Sequence, residues 1–151
     1  MPELCWGQIS DIEPWMSLVC GVRWNFPGLE TEESLRDHRE TVLKFMGKRQ
    51  ALCAKIEGRI CGVLLFSRNR SMICCLAVDP DFRRRGIASQ LLSRALEELD
   101  RSRDITVSTF CEGDAKGTAP RALYRKFGFC EDALVEEFGY PNQIFILHAQ
   151  K

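Results

Sequence analysis

Histidine is scarce in this chain, which contains only His38 and His148. Two distant histidines and no CxxC pair make no recognisable zinc motif, so we expect no metal. Neither charge sign is in excess, since 21 Lys and Arg residues balance 21 Asp and Glu residues. Binding to nucleic-acid phosphates needs a basic surplus on one face, and we therefore expect no nucleic-acid partner.

Long apolar runs are also missing. No stretch approaches the ~20 residues of a membrane-spanning helix, and the first residues lack the basic and apolar segments of a signal peptide. We therefore expect no membrane partner and a cytoplasmic location. The eight cysteines agree with this expectation, because several occupy apolar, strand-like runs where a thiol acts as a small hydrophobe in a reduced protein. These are Cys53, Cys61, Cys74, Cys75 and Cys111.

The 151 residues, 45% hydrophobic and 28% charged, predict one compact domain over 1–151. Its periodicities predict helices that begin after Asp11 and Thr31 and are separated at Pro27 and Gly28. A mixed α/β (α+β) domain around one sheet follows from the element order. The predicted strands are 4–9, 51–57, 60–67, 71–78, 105–110 and 143–148, with two later helices at 87–99 and 120–127.

The clearest functional signal lies where the strand ending at Val78 leads through a loop into a helix. The loop carries three arginines, and the first turn of the helix offers unpaired N–H groups and the positive end of its dipole. Such a turn binds phosphate, and the small Gly86 and Ala88 would let a pyrophosphate approach the backbone. The alternative is a surface loop with solvated arginines before an ordinary packed helix.

Two motifs resemble the GNAT superfamily of N-acetyltransferases. The segment Arg83-Arg-Arg-Gly86-Ile-Ala88 fits the family signature of Arg or Gln, two residues, Gly, one residue, then Gly or Ala. The segment Ala122-Leu-Tyr-Arg-Lys-Phe-Gly-Phe129 matches a second family motif at the expected distance. One short pattern is weak, but two in order with the right elements between them are strong. The resemblance covers roughly residues 50–147.

This resemblance implies a GNAT-like fold: a single mixed, mostly antiparallel sheet flanked by helices, with splayed central strands 71–78 and 105–110. It implies acetyl-CoA as co-substrate, whose pantetheine arm pairs with backbone groups freed by the splay. The implied activity is that of an acyltransferase, which moves acetyl to a primary amine by direct attack on the thioester in a ternary complex. The implied cofactor-binding residues are Leu76, Ala77, Val78, Arg83, Arg84, Arg85, Gly86, Ile87, Ala88 and Ser89.

The resemblance also implies a catalytic role for Tyr124. Family tyrosines at this place protonate the leaving CoA thiolate, and a phenol with an ordinary pKa of about 10 is protonated at neutral pH. The alternative is a packed tyrosine whose hydroxyl bonds to the backbone. Many family members carry an asparagine seven residues earlier, where this chain has Gly117, and we expect the segment 114–120 to be flexible.

The general base is left open by the sequence, because strand 71–78 contains no carboxylate. Either a carboxylate from elsewhere acts through water, or the amine binds already neutral. His38 is a further candidate. The carboxylate candidates are Glu112, Asp114, Glu136 and Glu137.

The acceptor site is expected between the first two helices and the C-terminal strands. There Trp24 and Phe26 are the candidate substrate residues, although such residues also simply close a core. The acceptor amine is a small metabolite or drug, a polyamine or a peptide N-terminus, and the protein a monomer or homodimer. A non-catalytic acyl-CoA sensor or regulatory module is the alternative. It fits the missing base, but the retained Tyr124 speaks against it.

Overall fold

The computed structural model describes residues 2–26 and 28–150, and within these ranges seven strands form one sheet. The order across the sheet is β1-β2-β3-β4-β5-β7-β6, and every neighbouring pair is antiparallel except β4 and β5. The strands are β1 (Glu3–Trp6), β2 (Ala51–Ile56), β3 (Arg59–Ser67), β4 (Met72–Val78), β5 (Ile105–Phe110), β6 (Cys130–Glu137) and β7 (Tyr140–Leu147).

Four α-helices in the described ranges cover the two faces of this sheet. They are α1 (Ile12–Gly21), α2 (Glu32–Gly47), α3 (Ile87–Glu98) and α4 (Thr118–Lys126). The apolar stripe of α1 and α2 packs on one face, where Trp15 and Val42 are fully buried. The stripe of α3 packs on the other face together with Tyr124 of α4. The predicted fold class, a mixed and mostly antiparallel sheet flanked by helices, is confirmed.

Local signals in the sequence explain most element boundaries. The Thr31 hydroxyl accepts a hydrogen bond from the Ser34 amide at 3.0 Å, which caps the first turn of α2 as predicted. Gly58 supplies the positive φ of +79° that the tight β2–β3 turn requires. Pro27, one of the two residues predicted to separate the first helices, lies outside the described residues.

Four elements differ from the prediction, and one of them is the last strand, which is Tyr140–Leu147 and not 143–148. The first strand is Glu3–Trp6, and not 4–9, because Ile9–Asp11 forms a 3₁₀ turn. Helix α4 begins at Thr118, so Pro120 occupies its first turn, where a missing N–H costs nothing. Strand β6 has no counterpart among the predicted strands. It is an exposed edge strand with several acidic residues, which are poor strand formers, and its pairing with β7 compensates for them.

Candidate active site

The two central strands of the sheet separate after a short paired section. Strands β4 and β5 are in register only at Met72 with Thr106 and at Ile73 with Val107. The next residue of β4, Cys74, has no register partner on β3, so it forms a bulge there. A bulge bends a strand and increases its local twist. The remainder of β4 therefore diverges from β5, and the predicted splay is present.

The alternation of an antiparallel ladder decides which backbone groups of β4 face this gap. The Asp79 amide donates to the Cys61 carbonyl of β3 at 2.9 Å, so the backbone of Asp79 faces β3. Facing alternates along the strand, so Ala77 also faces β3 while Leu76 and Val78 face away from it. Among the three predicted main-chain contacts, Leu76 and Val78 thus present their N–H and C=O groups to the gap.

The same argument applies to β5. The Thr106 amide donates to the Ser71 carbonyl at 3.0 Å, which places the Thr106 backbone toward β4. Ser108 and Phe110 follow at intervals of two and face the gap as well. The Phe110 carbonyl is bonded by the buried Arg121 guanidinium at 2.9 Å. The backbone groups of Leu76 and Val78 on one side and of Ser108 on the other therefore face the gap, and a fixed arginine lies near its wide end.

The β4–α3 loop leads from this gap to the start of α3. Gly86 is the N-cap of α3 with φ +76°, a conformation that only glycine adopts without strain. The first backbone bond of the helix runs from the Gln90 amide to the Gly86 carbonyl at 3.0 Å. The preceding amides of Ile87, Ala88 and Ser89 consequently have no intrahelical acceptor.

The surroundings of this helix start fit an anion. A β-carbon placed at Gly86 would have its nearest neighbour, the side-chain Nε2 of Gln90, at 4.0 Å, so a ligand can approach the backbone here. The side chains of Arg83, Arg84 and Arg85 are all exposed beside it. Arg85 also lies over the Phe82 ring, at 5.0 Å from its centroid, which keeps one of the three charges near the loop.

Tyr124 lies on the buried side of α4. Its ring packs at 5.6 Å from Phe129 and 6.1 Å from Phe145, and the residue is 5% exposed. Burial raises the pKa of Tyr124, and the nearby Cys75 thiol of β4 raises it further, with no hydrogen bond among the causes. Leu76 and Val78 of β4 pack against the same core cluster as Tyr124. A phenol in this position is protonated throughout the neutral range.

The structure explains the glycine that stands where many relatives have asparagine. Gly117 is buried, and a β-carbon there would lie 2.8 Å from the Phe110 Cβ and 3.2 Å from the Arg121 Cδ. No side chain fits without moving one of these groups. The segment expected to be flexible is a 3₁₀ turn, Ala115–Gly117, whose start is capped by Asp114 accepting from the Lys116 amide at 3.0 Å.

The β6–β7 hairpin end folds over the face of the sheet that carries α1 and α2. A β-carbon at Gly28, in the α1–α2 loop, would lie 2.7 Å from Cγ of Phe138. The Ser108 hydroxyl of β5 donates to the Glu137 carboxylate, and the ring of Tyr140 meets Phe110 edge-on at 5.8 Å. These contacts place the hairpin end beside the α1–α2 loop and beside β5.

The two predicted substrate residues, Trp24 and Phe26, have different surroundings. Trp24 is 66% exposed, with the Arg23 guanidinium over its ring at 4.7 Å and its carbonyl bonded by the Lys116 ammonium at 3.1 Å. Phe26 is half-buried and packs against the core under α1 and α2. A second aromatic that the sequence reasoning missed, Phe138, is 78% exposed. The turn Phe138-Gly139 between acidic and aromatic residues was the available signal.

The candidate bases are spread over different parts of the molecule. Glu112 and Glu136 are exposed. Asp114 accepts from the Tyr140 hydroxyl at 2.6 Å, and this bond lowers the pKa of Asp114. His38 lies half-buried on α2, where burial lowers its pKa. Only Glu137 bonds to a residue of β5 beside the gap.

No helix among the described residues is long and apolar enough to cross a membrane. Within residues 2–26 and 28–150, no three His, Cys, Asp or Glu side chains are grouped so that they could hold a metal ion.

Comparisons with known proteins agree with the fold. A family model described as an acetyltransferase (GNAT) domain matches residues 47–131, more than half of the chain. The chain is also similar to the ribosomal protein bS18-alanine N-acetyltransferase of Salmonella typhimurium, with 38% identity over 67 residues. That match covers 44% of this chain and 43% of the relative, so it spans less than half of the relative's length.

Solved structures extend the likeness over the whole chain. A GNAT family acetyltransferase from Bacillus cereus has a TM-score of 0.77 at 22% identity, covering 100% of this chain and 99% of that one. The PaiA N-acetyltransferase from Thermoplasma acidophilum, solved in complex with coenzyme A, has a TM-score of 0.72 at 17% identity, covering 98% and 99%. Identities this low establish likeness of fold, and the family model adds likeness of sequence. The chain belongs to the GNAT acetyltransferase family.

Proposed function

We propose that the protein is an acetyl-CoA-dependent N-acetyltransferase that transfers acetyl to a primary amine by direct attack on the thioester. The observation that carries the proposal is the open backbone gap between β4 and β5. The β4 side of this gap leads through one loop to the start of α3, and Leu76 and Val78 of β4 pack against the core cluster that contains Tyr124. Direct attack on the bound thioester requires that both the acyl donor and the acceptor bind before the chemical step.

Two parts of the chain would bind acetyl-CoA, the start of α3 and the free backbone of β4. The amides of Arg84–Ser89 and the positive end of α3 would hold the pyrophosphate, with the arginines adding charge. The free backbone groups of Leu76 and Val78 would pair with the pantetheine arm, as an added strand pairs with a sheet edge. Both interactions need the backbone and not a particular side chain, which fits the small residues Gly86 and Ala88.

The chemistry then requires one proton donor. The amine nitrogen forms a bond to the thioester carbonyl carbon, the C–S bond breaks, and the electron pair leaves on sulfur. Tyr124 would give its phenolic proton to that thiolate, because burial keeps the phenol protonated in this environment. The nitrogen gives up one proton to a carboxylate or to water, and a proton from solvent restores the Tyr124 phenol. The products are the acetylated amine and free CoA.

The acceptor is either a small molecule or a peptide N-terminus. The exposed side chains of Trp24 and Phe138 would contact the apolar body of the acceptor. Rigid aromatic rings suit this role because they bury a large apolar area. The Salmonella relative is named for acetylating the alanine of a ribosomal protein, which supports including peptides. The eight free cysteines support a reducing, cytoplasmic setting.

Thiol release tests this function directly. The protein is incubated with acetyl-CoA and, in turn, spermidine, tryptamine and a hexapeptide beginning with alanine, and free CoA is followed by a thiol reagent. We expect release that depends on one of these amines and an acetylated product of the expected mass. Binding of acetyl-CoA without release from any amine would instead identify the acyl-CoA sensor.

A further inference from the structure

The position of Ser108 is the starting point for an assignment of the proton acceptor. It is the first β5 residue beyond the last paired position with β4, where Ile73 opposes Val107. Its backbone faces the gap, and it therefore lies at the narrow end where the strands begin to separate. Neither β4 nor β5 carries a carboxylate of its own. Any acidic side chain acting here has to come from another element.

The side chain of Ser108 points to the α1 and α2 face of the sheet. Ile105 and Val107 belong to the core cluster under α3, and successive side chains of a strand alternate between faces. Tyr124 belongs to that same α3 cluster. The hydroxyls of Ser108 and Tyr124 thus reach the gap from opposite faces of the sheet.

Glu137 reaches Ser108 because the β6–β7 hairpin end folds over the sheet. Glu137 is paired with Tyr140 at the end of the hairpin, far along the strand from Ile144, the residue that opposes Ser108 on β7. A flat hairpin would keep the Glu137 carboxylate away from Ser108. The hydrogen bond from the Ser108 hydroxyl to the carboxylate shows that the folded hairpin brings them together.

We infer that Glu137, delivered by the hairpin and positioned by Ser108, is the carboxylate that takes the proton from the acceptor amine. This assignment rests on the proposed acetyl transfer. The amine nitrogen bonds to the thioester carbon, its proton passes to a Glu137 oxygen, and the C–S pair leaves on the sulfur that Tyr124 protonates. The acid and the base then act from opposite faces of the sheet, and each transfers a different proton.

The other charged groups near the hairpin end do not contact the edge of the gap. Asp114 accepts from the Tyr140 hydroxyl at 2.6 Å and from the Lys116 amide at 3.0 Å. The Lys116 ammonium bonds to the Trp24 carbonyl at 3.1 Å and lies 5.9 Å from the Tyr140 ring centre. Glu136 is exposed on the other side of the same strand. Glu137 alone among these acids contacts the edge of the gap.

The test compares Glu137→Gln with the matched control Glu136→Gln, which makes the same change one residue away. Initial rates of thiol release are measured from pH 6 to pH 10 with the best acceptor of the panel, and acetyl-CoA binding is followed by thermal shift. We expect Glu137→Gln to lower kcat/KM about 10²–10⁴-fold near pH 7, the usual effect of a positioned base. The loss should shrink toward pH 10, where more of the amine is already neutral.

Glu136→Gln should retain wild-type rates at every pH, and Ser108→Ala should lose activity less than Glu137→Gln while keeping its pH profile. A Glu137→Gln variant that is folded, binds acetyl-CoA and keeps the wild-type rate and pH profile would overturn the assignment while leaving acetyl transfer intact. A uniform loss across all pH values would also overturn it, because that pattern indicates a structural role. Absence of any wild-type turnover would overturn both proposals.

Discussion

The proposed role of Tyr124 as general acid has two requirements, a retained proton and access to the reacting atoms. Burial against Phe129 and Phe145 supplies the first, since it disfavours the charged phenolate. Its place in the core cluster against which Leu76 and Val78 of β4 pack bears on the second.

Changing Tyr124 to Phe keeps the packed ring and removes the only proton the side chain can donate. We expect kcat to fall about 10²–10⁴-fold while acetyl-CoA affinity stays near wild type. The loss should shrink with an acyl donor whose leaving thiol is more acidic, because that thiolate needs less protonation. Steady-state kinetics with both donors measure this. An unchanged kcat would assign thiolate protonation to water and leave Tyr124 a packing role.

Helix α3 concentrates the cofactor contacts in its first turn, and Gly86 is the residue that makes this turn accessible. Its φ of +76° favours glycine, and the open space above it leaves the amides accessible to a ligand. The helix beyond it is held by an apolar stripe including Leu91, Leu92 and Ala95, all fully buried. Binding and stability therefore depend on different parts of the same helix.

Replacing Gly86 with Glu places bulk and negative charge where the pyrophosphate would approach. We expect acetyl-CoA affinity to fall at least 10²-fold in a protein that still folds. Gly58→Glu is the matched control, because Gly58 has a similar φ of +79° and an open surrounding in the β2–β3 turn. Both variants should lose about 1–2 kcal/mol of stability from backbone strain. Calorimetric titration with CoA separates them, and equal affinities would place the pyrophosphate elsewhere.

Helix α2 carries a histidine whose burial makes stability depend on pH. The pKa of His38 is lowered by burial, and its Nε2 atom has no hydrogen-bond partner within residues 2–26 and 28–150. As the pH falls, His38 in the unfolded state, with a pKa near 6.5, takes up a proton at a higher pH than His38 in the folded state does. Stability is therefore complete above about pH 6.5 and declines as the pH falls from there toward the lower folded pKa.

Replacing His38 with Gln removes this titration. We expect the Tm difference, wild type minus His38→Gln, to be more positive at pH 8 than at pH 5. Differential scanning calorimetry in buffers of equal ionic strength measures it. A difference that is constant over this range would mean that His38 titrates alike in the folded and unfolded states.

At the scale of the whole molecule, ligand binding should report on the gap and on the α3 start together. A ligand that binds only the folded state stabilises it by about 2.7 kcal/mol at a concentration of a hundred times Kd. For a chain of this length that corresponds to a Tm increase of about 5–10 °C. We expect this shift with acetyl-CoA but not with NAD or ATP at equal concentration, because neither has a pantetheine arm. No shift with acetyl-CoA would contradict the proposed cofactor.

Local signals were sufficient for most of the fold. Apolar periodicity identified α1 to α3 and strands β2 to β5, because each buries one continuous stripe or run in the core. The Gly86 motif and the motif around Tyr124 were sufficient for the family, which the family model confirms. Strand β6 escaped prediction because its exposed acidic residues carry no burial pattern, and only its partner β7 makes it a strand.

Tertiary structure determined which residues lie beside the gap on the sheet face opposite Tyr124. Glu137 was one of four carboxylates that the sequence could not rank, since a glutamate in an exposed strand looks the same wherever it points. Its contact with Ser108 depends on how far the hairpin folds over the sheet, and so does the placing of Phe138 on Gly28. Local sequence determined the α3 start because its phosphate-binding amides and dipole belong to one turn of the chain. Contacts between residues 29 and 110 positions apart arise only once the whole sheet has assembled.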